Sequence, residues 1–159
     1  MNITSQIESL RQLARELLYL GVDGTPLYTD RFSQLNKGVL EHADSLYSQK
    51  GSTYEEEARL CLVLLMSYGA TIYDRGDKER KKQSILNRAW KTLDKLPPSL
   101  LKCQLLVACY GEVFDEELAC EAHAIIDSWN ESELTPEARE TIDMLRNLEE
   151  NQYPNSEID

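Results

Sequence analysis

One stretch of this sequence concentrates the side chains that chemistry uses. Residues 109–123, CYGEVFDEELACEAH, hold two of the four cysteines, one of the two histidines and five carboxylates. Cys120 and His123 are three apart, so on a helix they share a face. Such a pair supplies two metal ligands. A structural zinc takes four, usually from two close pairs. Cys103 and Cys109 are six apart in CQLLVAC, among leucines, where a free cysteine packs as a small hydrophobe. The ligand count argues against zinc, and no metal or other cofactor is expected. Asp115, Glu116 and Glu117 fit another role. In the first turn of a helix, each negative charge is stabilised by about 0.3–1 kcal/mol. The stretch reads as a corner between two helices, marked by Gly111 and Asp115.

Nothing else in the chain assembles an active site. His42 lies in LEHADSLY near Asp44, but residues two apart on a helix do not face each other. His42 reads as a surface or boundary residue. No phosphate-cradling glycine loop, dinucleotide fingerprint or metalloprotease helix motif is present. Without a nucleophile beside a base, or paired carboxylates in a pocket, no enzyme is expected. The run DRGDKERKKQ opens a segment with seven lysines or arginines between residues 75 and 91. No aromatic interleaves the cluster to stack on bases, and Asp77 and Glu79 dilute it. It reads as a solvated helix face, and no direct nucleic-acid contact is expected.

The elements that carry these residues are helical almost throughout. Ile7, Leu10, Ala14, Leu17 and Leu18 repeat at helical spacing, with Thr4 or Ser5 as cap and Gly21 as stop. Asp23, Gly24 and Pro26 form a turn. A second helix face runs through Phe32, Leu35, Val39, Ala43, Leu46 and Tyr47, and stops at Gly51. Thr53 and Glu56 fit a capping box for a third helix. Its continuation, LCLVLLMSYGATIY, is apolar nearly all round, which marks a central helix ending near Gly76. The fourth helix, DKERKKQSILNRAWKTLDKL, has Ile85, Leu86, Ala89, Trp90, Leu93 and Leu96 as its apolar face and breaks at Pro97 and Pro98. Ser99 caps a fifth helix, Asp115 a sixth, and Thr135 with Pro136 opens a seventh. That last helix uses Ala138, Ile142, Leu145 and Leu148.

About seven helices joined by short connections give an all-α fold of antiparallel hairpins. YGATIYDRGD resembles the middle of a tetratricopeptide hairpin, consistent with such stacking. Residues 1–150 are expected to form a single domain with Leu64, Leu65, Leu105 and Ile125 in one core. Residues 151–159 form a polar, acidic tail.

The 159 residues carry a net charge of −11. Residues 1–111 have 15 basic and 13 acidic side chains, whereas residues 112–159 have 2 basic and 15 acidic. Such an acidic segment repels phosphates and attracts a basic protein partner. No apolar run preceded by basic residues opens the chain, and the run Leu60–Met66 is far too short to cross a bilayer. A cytoplasmic protein with reduced cysteines and no membrane association is expected.

Four stretches, LARELLYLGVDGTPLYTDRF, DKLPPSLLK, ACYGEVFDEELACEAHAIIDSW and LRNLEENQYP, resemble the UpxZ family, in order and over essentially the whole chain. The resemblance implies an antagonist of transcription antitermination encoded in a bacterial capsular polysaccharide locus. Its implied partner is a NusG-like antiterminator of the UpxY type from another locus, in the context of RNA polymerase. The resemblance carries no catalytic residues. The candidate partner-binding residues come from this chain's own pattern. Glu117 and Glu121 are four apart on one helix face, Glu116 extends their field, and Trp129 and Tyr153 are the nearest aromatic anchors. Two other readings compete. One is a tetratricopeptide-like adaptor for an unrelated protein. The other is an enzyme acting through Cys120 and His123, which metal content and a Cys120→Ser variant would reveal. The oligomeric state is left open.

Overall fold

In a computed structural model of the chain, the structure describes residues 2–20, 30–71 and 76–151. Among the described residues there are seven α-helices, one short 3₁₀ helix and no strand, which bears out the all-α fold. The helices fall into two compact units, Met1–Asp94 and Lys95–Asp159. The first unit holds α1 (Ile3–Leu18), α2 (Asp30–Tyr47), α3 (Tyr54–Ala70) and α4 (Lys78–Leu93). The second holds α5 (Leu100–Val113), α6 (Glu116–Asp127), the 3₁₀ helix Glu131–Glu133 and α7 (Pro136–Asn151).

The helix starts follow from local chemistry. Free backbone N–H groups at a helix N-terminus need acceptors, and short polar side chains supply them. Ser99 Oγ accepts from Lys102 N–H at 3.1 Å, Asp115 Oδ1 from Glu117 N–H at 3.0 Å, and Thr135 Oγ1 from Ala138 N–H at 3.1 Å. Thr53 caps α3 by accepting from Glu56 N–H at 3.1 Å, but the reciprocal half of the box is displaced. Glu56 Oε1 instead accepts from the backbone and hydroxyl of Ser52, at 2.8 and 3.0 Å. The cap of α1 is Asn2, whose Oδ1 accepts from Ser5 N–H at 2.8 Å, not Thr4 or Ser5. Leucine periodicity cannot see this extra polar turn. Gly21, the Asp23–Pro26 turn and part of the tetratricopeptide-like stretch lie outside the described residues.

In the first unit, α3 packs against α1, α2 and α4. It buries Leu60, Cys61, Val63, Leu64, Leu65 and Tyr68, as its all-round apolar sequence requires. It ends at Ala70, earlier than expected. The Thr71 N–H bonds Ser67 O at 3.2 Å, and the Thr71 backbone is already extended.

Arg88 on α4 connects three segments at once. Its Nε and Nη2 donate to the two carboxylate oxygens of Glu57 on α3, at 2.9 and 3.0 Å. Nη1 reaches Tyr47 O at 3.1 Å, and Nη2 reaches Gln49 O at 2.8 Å. These two carbonyls close α2, where helix ends leave acceptors without partners. Glu57 also accepts from Gly51 N–H at 2.9 Å. That approach explains Gly51, because a Cβ there would lie 2.3 Å from the Glu57 backbone nitrogen.

A second polar cluster lies between the same helices. Lys81 Nζ meets Asp44 at 2.7 Å and Asp77 at 3.2 Å, and its ammonium lies over the Tyr47 and Tyr68 rings. The Tyr68 hydroxyl donates to Asp44 at 2.7 Å. Burial and this hydrogen bond both hold the phenol protonated. Lys78 Nζ donates to Thr71 O at 2.7 Å. The basic run is therefore not simply a solvated face. Lys78, Lys81 and Arg88 turn inward, and Arg75 lies outside the described residues. Conversely Trp90, assigned above to the apolar face of α4, is 41% exposed.

In the second unit α5 packs against α6 and α7. It buries Cys103, Leu105, Leu106, Val107, Cys109 and Tyr110, and α6 adds Ile125. Gly111 lies inside α5 and not at the corner. A Cβ there would meet the Leu148 side chain of α7 at 3.3 Å.

The Glu57–Arg88 pair yields a pH-dependent prediction. Burial pushes the Glu57 carboxyl up, but Arg88 and the Gly51 N–H outweigh it and hold its pKa below the ordinary value. The folded pKa thus lies below the unfolded one, near 4.3. The contribution is complete above that pH and fades as pH falls through the folded pKa. Arg88→Met is expected to cost about 3 kcal/mol at neutral pH, because it strands a carboxylate and two carbonyls. Protonating the stranded carboxyl should shrink that deficit on acidification. Urea melts from pH 7 to 3 test this; a pH-independent deficit contradicts it.

Candidate functional site

Residues 109–123 do form a corner between two helices. α5 closes at Val113. Phe114 then adopts a left-handed conformation, φ 52° and ψ 38°, and its N–H bonds Tyr110 O at 2.8 Å. The next residue, Asp115, is extended and caps α6. Among the described residues Phe114 alone has positive φ without being glycine. A left-handed conformation costs an L-residue with a Cβ roughly 1–2 kcal/mol. The Phe114 ring packs edge-on against Tyr110, with centroids 5.2 Å apart. Tyr110 is wholly buried, whereas Val113 and Phe114 are 45% and 37% exposed.

The metal-like spacing does not assemble a site. His123 Nε2 faces Glu149 of α7 at 2.9 Å, and both Cys120 and His123 are exposed. Among the described residues no three His, Cys, Asp or Glu side chains are placed to hold a metal ion. Cys61, Cys103 and Cys109 are buried. Burial pushes the Cys61 thiol up to about 12 and the Cys103 thiol to about 11. His42 is exposed, with Nδ1 2.8 Å from Gly38 O, while Asp44 serves Tyr68 and Lys81 instead.

Glu116 and Glu117 are exposed in the first turn of α6, where the helix dipole favours them. Glu121 is exposed too, but Lys102 of α5 meets it at 2.8 Å and offsets its charge. Trp129 follows α6 and is half-buried, and Tyr153 lies outside the described residues. Charge divides with the two units. The first carries thirteen basic and thirteen acidic side chains, and the second four basic and fifteen acidic. The whole net charge of −11 thus belongs to the second unit. Sequence reasoning missed Val113 and Phe114. The signal was available in EVFDEE, an apolar pair between carboxylates at a helix corner.

Fold and surface together define an all-α protein whose inward-facing charges tie helices together and whose excess charge is carried by one unit. The chain belongs to the UpxZ family of transcription anti-terminator antagonists, whose model matches residues 7–111. It is similar over its whole length to a solved structure, a transcription anti-terminator antagonist UpxZ from Bacteroides uniformis. Identity is 52%, the match covers 100% of this chain and 99% of the other, and the TM-score is 0.90. Comparison with curated proteins gives no match. No helix among the described residues is long and apolar enough to cross a membrane.

Cysteine burial gives a direct check on this arrangement. In the folded protein under reducing conditions, one thiol, Cys120, should react rapidly with a disulfide reagent. The other three should react only on unfolding. Rapid native-state labelling of Cys61, Cys103 or Cys109 would contradict the packing.

Proposed function

We propose that this protein inhibits NusG-like antiterminators of the UpxY type, encoded by other capsular polysaccharide loci, by binding them in the cytoplasm. Family membership carries the reading, because the family is described as transcription anti-terminator antagonists. Binding sequesters the antiterminator from RNA polymerase, so transcription of the competing locus stops in its leader. The chain itself makes no contact with nucleic acid in this scheme. Its net negative charge supports that, since like charges repel the transcript.

The acidic side of α6 is the proposed docking face, with Glu116, Glu117 and Glu121 in its field and Trp129 and Tyr153 as aromatic neighbours. Charge at an interface rim chiefly raises the association rate, and salt screens it. Lys102 offsets the charge of Glu121 within this field.

Reconstituted transcription through a capsular leader tests the function. Added protein should return read-through by a heterologous antiterminator to the level seen without it. Unchanged read-through under saturating protein contradicts the proposal. Glu116→Lys with Glu117→Lys should slow association at low salt and flatten its salt dependence, with the helical circular-dichroism signal intact. Equal association rates would leave the acidic face as a solubility device.

A further inference from the structure

We infer that the α5–α6 corner is itself a docking site, with Val113 and Phe114 as apolar anchors for a basic segment of the partner protein. The inference rests on the functional reading above and names the chemistry of the surface that reading needs.

α5 is apolar nearly all round, and its neighbours cover most of it. Cys103, Leu105, Leu106, Val107, Cys109 and Tyr110 are all buried. The two apolar residues that close it, Val113 and Phe114, remain 45% and 37% exposed. Exposed apolar side chains are ordinary singly, but an adjacent pair containing an aromatic is a candidate anchor. This pair is also held in place. The Phe114 N–H bonds Tyr110 O at 2.8 Å, and its ring leans edge-on against the buried Tyr110 ring. An anchor already fixed in position loses less freedom on binding.

The surroundings select the occupant. Glu112 precedes the pair, and Asp115, Glu116 and Glu117 follow it. The unit they belong to carries the molecule's whole net negative charge. A second copy of this unit would meet like charge. A segment presenting lysine or arginine around an aliphatic or aromatic side chain would meet opposite charge at the rim and an apolar anchor at the centre.

The Phe114 backbone allows a clean test. Asparagine tolerates the left-handed conformation far better than phenylalanine, so Phe114→Asn removes the anchor without bending the corner. Val113→Ser removes the second anchor at an exposed position. Binding of a UpxY-type antiterminator is measured by interferometry, with thermal melting as the fold control. Each variant should weaken binding, Phe114→Asn by about tenfold or more, while the melting temperature stays near that of the wild type. If Phe114→Asn lowers the melting temperature, Val113→Ser decides. If the wild type binds but the folded variants bind within about twofold of it, this inference alone is overturned. A wild type that binds no such antiterminator overturns the functional reading and this inference together. Sedimentation showing a homodimer that these variants dissociate would make a second copy the occupant, and would also overturn the inference.

Discussion

In the first unit a single guanidinium ties three segments together. Arg88 donates to both oxygens of Glu57 and to the carbonyls of Tyr47 and Gln49, so one side chain joins α4, α3 and the end of α2. The pair is only about one-sixth exposed at either end, with side-chain exposures of 16% and 15%. Burying both charges costs several kcal/mol of lost hydration each, and the attraction repays it only when the remaining donors and acceptors are satisfied. Here they are. Glu57 takes a further N–H from Gly51, and that contact requires a glycine. Planarity and a forked donor set let arginine meet this arrangement, and lysine has neither.

The second unit is built differently. Its core is apolar, with α5 at the centre, Tyr110 wholly buried, and Gly111, which has no side chain, leaving room for Leu148 of α7. His123 pairs with Glu149 at 2.9 Å, and Lys102 reaches out to the exposed carboxylate of Glu121 at 2.8 Å. Acidic side chains are then left to face solvent in excess. The first unit spends equal numbers of positive and negative groups on its own structure and surface, whereas the second has fifteen acids against four bases, a surplus of eleven. Such a surplus contributes little to folding, but it sets which surfaces the molecule attracts.

Much of this was legible in the sequence, and the failures have physical causes. The caps at Thr53, Ser99, Asp115 and Thr135 were readable because capping is local: the donor and acceptor lie within three residues. The apolar all-round character of α3 showed that it would be surrounded. Arg88 was not legible, because its partner Glu57 is 31 residues away. Periodicity also placed Trp90 inward and Arg88 outward, and α4 does the reverse. The apolar stripe gives the middle of a buried face, but not which of its edges meets another helix. Trp90 and Arg88 lie at those edges. Gly111 misled for a related reason. A glycine near a helix end usually marks the turn, but here it serves packing against α7 and Phe114 makes the turn. Glu116, Glu117 and Glu121 are exposed on α6, as the helical spacing implied. The pairing of Glu121 with Lys102 needed three-dimensional contact to see.

Family membership joins these observations to antagonism of transcription antitermination. Charge divides between a neutral unit held by inward-facing ion pairs and an acidic unit, which the proposed function assigns to a basic partner. Hydrogen exchange with and without a bound UpxY-type antiterminator tests that division most directly. Slowed exchange should concentrate in residues 112–121, with α2, α3 and α4 unchanged. Protection confined to α2, α3 and α4, with residues 112–121 exchanging as in the free protein, would contradict it.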